Sequence, residues 1–190
     1  MSLMQPFAAQ LQFQNGLLEP YGRKTVRRLS DMRGMYLDIS ATEELLKQGD
    51  PLLYEVYEVD VPHEEGQLIY CTSIIYPGQV GHEYHMTKGH FHSKEGTAEI
   101  YFGLRGRGYL LTQTHDGQVS VIEIVPGTVA YIPPFWAHRT VNIGDEKFVF
   151  FAVYPGDAGH NYGIIEEGGF AKLVVEKNGK PAVVDNPRYR

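Results

Sequence analysis

The stretch "GHFHSKEGTAE", residues 89–99, gathers His90, His92 and Glu99 within a short span. Side chains two apart in an extended segment share a face, so His90 and His92 point the same way. Glu99 follows the turn-like "SKEGT" and opens the strand-like "EIYFGL", so a hairpin can fold its carboxylate back beside the imidazoles. Two imidazoles and one carboxylate suit Fe(II), Mn(II), Zn(II) or Ni(II). His138, in "YIPPFWAHRTVN", follows a proline-stiffened approach. As a fourth ligand it leaves one or two coordination positions for water and substrate. A lone H-x-H pair arises by chance; its conjunction with Glu99 and His138 is what points to a metal. His82 and His85 compete within "GHEYHMTKGHFH", but their spacing is out of phase for one strand face, and they read as loop or rim residues. His63 and His115 fall in turn-like segments and read as solvent-facing.

The elements that must carry these groups are strands. From residue 51 the apolar period is two: "LLYEVYEVDV" and "LIYCTSIIYPG" read as an antiparallel pair. Further strand-like runs end in "HDG", "VPG", "IGDE", "YPG" and "KNGK", which are hairpin and turn signals. Many short strands with almost no helix predict an all-β sandwich or barrel. The one clear helix is "SATEELLKQGD", predicted over 41–48, with Ser40 as its cap, Glu43 completing a capping box and Gly49 as its stop. Residues 1–50 read as an arm packed on a barrel of residues 51–190, a single domain overall. The basic run "GRKTVRRLSDM" reads first as a solvated face or an intersubunit ion-pair patch, and second as a substrate contact. Phe135 and Trp136 read as wall and core residues.

Composition narrows the function. A net charge of −6 in 190 residues does not suit a nucleic-acid binder, and the length suits one domain. The only cysteine, Cys71, excludes an internal disulfide and a thiolate cluster, and fits the reducing cytoplasm. "MSLMQPFAAQLQF" has no signal-peptide or membrane-span pattern, so no membrane is expected. The "MSL" ahead of Met4 reads as an added start.

The histidine segments resemble the two cupin motifs. His90, His92, Glu99 and Gly106 match the first, and Gly127, Pro133, His138 and Asn142 match the second in spacing. Three features depart from the general pattern: six residues separate His92 from Glu99, Tyr84 stands for the first glycine, and Phe135 for the glycine of the second motif. "RRLSDM", "YEVY", "TKGHFH", "AEIYFGLRGRG", "EIVPGTVAYIPPFWAHRTVNIGD" and "YPGDAGHNYG" resemble, in order, the cupin-type phosphoglucose isomerases of archaea and some bacteria. The likeness runs from about residue 23 to the C-terminus.

That resemblance implies a cupin fold, a double-stranded β-helix or jelly-roll barrel. It implies one divalent transition metal per subunit, Fe(II) foremost, held six-coordinate by His90, His92, Glu99 and His138. It implies a homodimer whose N-terminal strands cross to the partner sheet. It implies interconversion of glucose 6-phosphate and fructose 6-phosphate, a step of glycolysis and gluconeogenesis, by a cis-enediol or a hydride shift. Glu99 would serve as base as well as ligand. Thr87, Lys88 and Gly89 offer a hydroxyl, an ammonium and a backbone amide as a phosphate seat. The resemblance places Thr87, Gly89, Tyr54 and Ser73 on the phosphate or sugar, Ser73 where the family usually has threonine. Lys88 alternates away from the site in a regular strand and reads also as a solvated charge. Tyr101 shares the ligand face of its strand, as a partner of the carboxylate or sugar or as a half-buried barrel aromatic. Tyr154, His160 and Tyr162 lie in a Gly- and Pro-rich loop able to cover a barrel mouth. His160 could open the pyranose ring, or simply pack on Tyr162. Rival readings are a mannose 6-phosphate isomerase, an oxygenase, and a nonenzymatic sugar-binding cupin. An oxygenase needs no phosphate seat, so "TKG" disfavours it, and 190 residues leave little room for a regulator's second domain.

Overall fold

The computed structural model describes residues 4–189, so the reading of "MSL" lies outside the described residues. A small hairpin of β1 (Gln10–Leu11) and β2 (Leu18–Glu19) precedes β3 (Arg23–Arg28). Helix α1 (Ile39–Gln48) leads to β4 (Leu52–Glu58) and β5 (Leu68–Ile75), the antiparallel pair the alternation predicted. Then come β6 (Gln79–Val80), β7 (Glu83–Tyr84), β8 (Glu99–Arg105), β9 (Gly108–Gln113), β10 (Val119–Ile124), β11 (Val129–Ile132), β12 (Ala137–Asn142) and β13 (Phe148–Pro155). A short helix α2 (Gly163–Gly168) precedes the closing hairpin of β14 (Lys172–Lys177) and β15 (Lys180–Asp185).

The largest sheet runs β11-β8-β13-β5-β4-β3, with every pairing antiparallel. Smaller sheets run β10-β9-β12 and β15-β14-β7-β6. Apolar burial decides which face of each strand turns inward. Along β8, Glu99, Tyr101 and Gly103 are buried while Ile100 is exposed. The main core gathers Leu53, Ile69, Ile75, Leu110, Ile124, Phe148 and Phe150. Every residue of β12 is buried, because β9 pairs one edge and the chain segment 85–90 pairs the other.

Three local expectations change. Helix α1 starts two residues earlier than predicted, because the Asp38 carboxylate accepts the Ala41 N–H at 2.8 Å, so Asp38 caps it rather than Ser40. Gly49 ends it as expected, donating its N–H to the Leu45 carbonyl at 3.1 Å. Helix α2 was not predicted; it is too short for a helical period to register in the sequence. Phe135 is 59% exposed, not a core residue, whereas Trp136 packs on the core.

The motif positions acquire backbone reasons. Gly106 has φ +71°, and a Cβ there would stand 2.4 Å from the Lys147 carbonyl oxygen. Phe135 occupies the second motif's glycine position with φ +69°, a left-handed conformation that costs a side chain about 1–2 kcal/mol. Its N–H is held by the Glu95 carbonyl at 2.8 Å. Asn142 is a fastener rather than a chemical group: fully buried, it donates to the Ile75 and Glu146 carbonyls and accepts from Gly144.

Candidate active site and metal centre

The segment 85–92 lies along β12. Met86 stands opposite Val141, and Thr87 and Thr140 bond through their backbones. His90, three residues on from Thr87, stands opposite His138, which is only two back from Thr140. The extra residue is taken up at Lys88–Gly89 as a bulge, with Gly89 at φ +77°. A Cβ at Gly89 would meet the Phe170 ring at 2.7 Å, so both conformation and packing demand glycine. The bulge resets the alternation. Thr87, Lys88, Gly89 and His90 all line one cavity, and Lys88 does not turn away as a regular strand would require. Lys88 pairs with Glu166 and lies over the Tyr162 ring.

Beyond the bulge the period of two resumes. His90 and His92 share a face, while Phe91 turns into a second apolar cluster with Leu111, Ala137, Ile165 and Phe170. On its other edge this segment pairs with residues 158–161: Phe91 exchanges backbone bonds with Asn161, and Lys94 bonds Ala158. The loop carrying His160 and Tyr162 therefore flanks the ligand segment, and both of these side chains line the cavity. His160 stacks on Tyr162 and also lies 4.3 Å, ring to ring, from His90.

One potential donor atom from each of His90, His92, Glu99 and His138 lies within 4.8 Å of the others. The Glu99 Oε2 atom is 3.1 Å from His92 Nε2 and 3.0 Å from His138 Nε2. The Thr97 hydroxyl donates to the Lys94 carbonyl at 2.7 Å, so at 2.8 Å it accepts the proton of His92 Nδ1. That leaves a lone pair on His92 Nε2 facing the carboxylate. His90 Nε2 and His138 Nε2 are buried without an aligned hydrogen bond among the described residues, the 3.0 Å approach of His138 Nε2 to Glu99 being an ion-pair contact only. Buried polar atoms are normally paired. A divalent cation among these groups would satisfy the unpaired nitrogens and relieve the opposition of lone pairs, so the donor set fits a metal. Burial and the neighbouring imidazoles push the His90 pKa well below the usual range, which keeps its lone pair available. Burial raises the Glu99 carboxyl and positive charge on the His138 and His92 side lowers it below its usual range; with lone pairs facing it, that charge would come from the cation. Thr97 predicts a clean test. Thr97→Val removes the partner of His92 Nδ1 and is expected to lower metal affinity about 10–100-fold, as loss of an outer partner does, read by competition with a chelator.

The cavity beside this cluster holds about 300 Å³. It is lined by Tyr54, Ser73, Thr87, Gly89, His90, Glu99, Tyr101, His138, Tyr154, His160 and Tyr162, so the predicted residues converge. His92 lies just behind, within the donor cluster. Tyr101 is buried, its ring 4.5 Å from Phe150 and 5.9 Å from His138. The Thr87 hydroxyl accepts the Thr140 N–H at 3.0 Å, which leaves its own proton to donate. Gly89 N–H makes no hydrogen bond among the described residues, and the carbonyl of the same peptide, Lys88 C=O, accepts from Arg139 Nη2 at 2.7 Å. A cation on the carbonyl polarises the peptide and strengthens its N–H as a donor. Burial pushes the His160 imidazole down to about 4.

Some cavity residues were unread in the sequence, and Arg23 and Arg27 were read there only second, as substrate contacts. Arg23, Thr25 and Arg27 of β3 line the cavity, as do Glu58 and Cys71. Alternation along "RKTVRR" carried the signal, since every second residue of an edge strand faces one way. Glu58 is buried and accepts from Arg23 at 2.7 Å and Tyr154 at 2.8 Å, with His63 at 3.0 Å. His85 is buried against Gly78, its Nδ1 3.1 Å from the Tyr76 carbonyl, rather than on a rim. His115 is exposed as expected, although it stacks on Phe91 and bonds Glu95.

A family model for glucose-6-phosphate isomerase matches residues 26–189. The glucose-6-phosphate isomerase of Thermococcus litoralis is 51% identical over all of this chain and all of its own length. That of Pyrococcus furiosus is 52% identical over 98% of each chain. The chain belongs to the glucose-6-phosphate isomerase family. A bacterial relative with the same name, from Sinorhizobium medicae, is 35% identical over 99% of this chain and 89% of its own. The likeness to the family thus reaches past residue 23 to the N-terminal residues, further than the motifs alone indicated. Membership carries the cupin-type fold with it, and the β-rich architecture agrees. Among the described residues no helix is long and apolar enough to cross a membrane.

Proposed function

We propose that the chain interconverts glucose 6-phosphate and fructose 6-phosphate, using a divalent transition metal ion held by His90, His92, Glu99 and His138. The observation that carries the reading is a single cavity joining that donor set to the Thr87–Gly89 bulge, in a chain whose relatives bear the isomerase name. Metal ligands and anion donors then address opposite ends of one sugar phosphate.

The Thr87 hydroxyl and the Gly89 N–H donate to the phosphate, assisted by the Tyr54 and Ser73 hydroxyls. Phosphate held there positions the reacting carbons at the metal end. His160, neutral and beside His90, takes the anomeric hydroxyl proton when the ring opens. When bound, the metal supplies a Lewis acid for oxygen charge that develops as the carbonyl moves between C1 and C2. Tyr101 and Tyr154 wall the carbons and exclude water, Tyr154 held in place by Glu58. Glu99 serves two competing demands in the cis-enediol route, because a carboxylate committed to a cation is a weaker base. Hydride transfer from C2 to C1 needs no base at carbon, and the other cavity carboxylate among the described residues, Glu58, is engaged by Arg23 and Tyr154.

Fe(II) is the preferred metal, with Mn(II), Ni(II) and Zn(II) as alternatives for a three-histidine, one-carboxylate set. We also infer a homodimer, supported by exposed Ile100, Val129 and Tyr131 on neighbouring β8 and β11, where Tyr131 pairs with Ile100. The single thiol, Cys71, suits the cytoplasm. The test is direct assay of the metal-loaded chain against fructose 6-phosphate, glucose 6-phosphate, mannose 6-phosphate and fructose. The first two are expected to interconvert with the highest kcat/KM. Faster turnover of mannose 6-phosphate, or no turnover of any sugar phosphate, overturns the assignment.

A further inference from the structure

Three cations line the cavity: Arg23, Arg27 and Lys88. Two are already neutralised. Arg23 Nη2 lies 2.7 Å from Glu58 Oε2, and Lys88 is paired with Glu166. Arg27 has no carboxylate partner among the described residues; it makes a long contact, 3.4 Å, to the neighbouring Val26 carbonyl and lies beside the Tyr54 hydroxyl. A half-buried guanidinium with five donors and no anion is incompletely satisfied.

Its position ties it to the bulge. Arg27 stands opposite Tyr54 in the β3–β4 ladder, and both line the cavity. Burial and Tyr162 push the Tyr54 hydroxyl up to about 12, while Arg27 and the Lys88 backbone pull against them. Arg27, the Tyr54 hydroxyl and the Lys88–Gly89 bulge therefore form one continuous donor surface. Its neighbours on the same strand sort by face: Lys24, turned outward, is neutralised by Glu55 at 2.6 Å.

We propose that Arg27 is the specificity-determining cation of the site, the group that contacts the phosphate dianion and separates sugar phosphates from uncharged sugars. This rests on the sugar-phosphate reading above and names the residue that enforces it. The neutral donors of the bulge orient the phosphate, but only Arg27 offers it an uncommitted positive charge. A guanidinium suits the task because its fork donates to two phosphate oxygens at once.

The experiment compares parent, Arg27→Met, Arg27→Lys and Lys24→Met, each loaded with metal and checked for metal content and fold. The readout is the ratio of kcat/KM for fructose 6-phosphate over fructose, with the affinity for inorganic phosphate measured by calorimetry. Arg27→Met is expected to lower the ratio about 10–100-fold and to weaken inorganic phosphate similarly, because a charged hydrogen bond is lost. Arg27→Lys recovers part of both. Lys24→Met, the same charge change on the outer face, leaves both in place and so excludes a general loss of attraction. An unchanged ratio in Arg27→Met overturns the inference. So does an unchanged ratio accompanied by easier dissociation of a dimer, which would make Arg27 an intersubunit ion-pair partner. If the parent itself turns over no sugar phosphate, the isomerase reading fails instead, and phosphate calorimetry alone decides whether Arg27 holds an anion.

Discussion

Chelating the purified chain to a demonstrably metal-free state is expected to lower fructose 6-phosphate turnover by about 1,000-fold or more. A Lewis acid at a developing oxyanion contributes several kcal/mol to transition-state stabilisation, and each 1.36 kcal/mol is about tenfold in rate. Adding back Fe(II), Mn(II), Ni(II) or Zn(II) singly should restore turnover to different extents and so rank the ions. The fold should persist without metal, because the core packs on apolar residues such as Leu53, Ile75 and Phe148, none of them a metal donor. Circular dichroism of the metal-free protein checks that point. Undiminished turnover in a metal-free preparation would show that the cluster is structural only.

His138→Ala should have the next largest effect. His138 is the second residue of the fully buried β12, and its Nε2 lies 3.0 Å from Glu99 Oε2. Its loss removes one of four donors, so metal affinity should fall by more than the 10–100-fold that an outer partner costs. Turnover at limiting metal should fall in step. Elemental analysis after gel filtration gives the occupancy, and excess metal should rescue activity only in part, since one donor is missing for good. Full occupancy in the His138→Ala protein would remove His138 from the donor set. Because the substitution also leaves a cavity, thermal unfolding of parent and variant, both metal-free, separates lost packing from lost coordination.

Much of the chain was legible as written. The strand character of "LLYEVYEVDV" and "LIYCTSIIYPG" was readable because side chains alternate between faces along an extended chain, although most residues of both strands are buried rather than one face alone. His90 and His92 share a face for the same reason, and the spacing of Glu99 and His138 marked a donor set. Short elements were less legible. Asp38 displaced Ser40 as the α1 cap because either side chain can bond a first-turn amide, and the path of the chain into the helix selects between them. Helix α2 carries too few turns for a period to show.

What the sequence determined by itself is therefore local: strand character, the faces of alternating residues, and the donor types available for chemistry. What only the tertiary structure decided is relative phase and neutralisation. One extra residue at Lys88–Gly89 shifts the register against β12, and no pattern of residue types announces a bulge whose need arises from the partner strand. That shift turns Thr87, Gly89 and His90 toward one cavity and brings Lys88 with them. Likewise "GRKTVRRLSDM" looked like a solvated basic run, because charge along a strand does not say which side chains meet carboxylates. Glu58, Glu55 and Glu166 come from distant parts of the chain, and their pairing with Arg23, Lys24 and Lys88 leaves Arg27 without a carboxylate at the cavity wall. Coulomb pairing depends on distance in space rather than along the chain, so that distinction could be made only in the folded molecule.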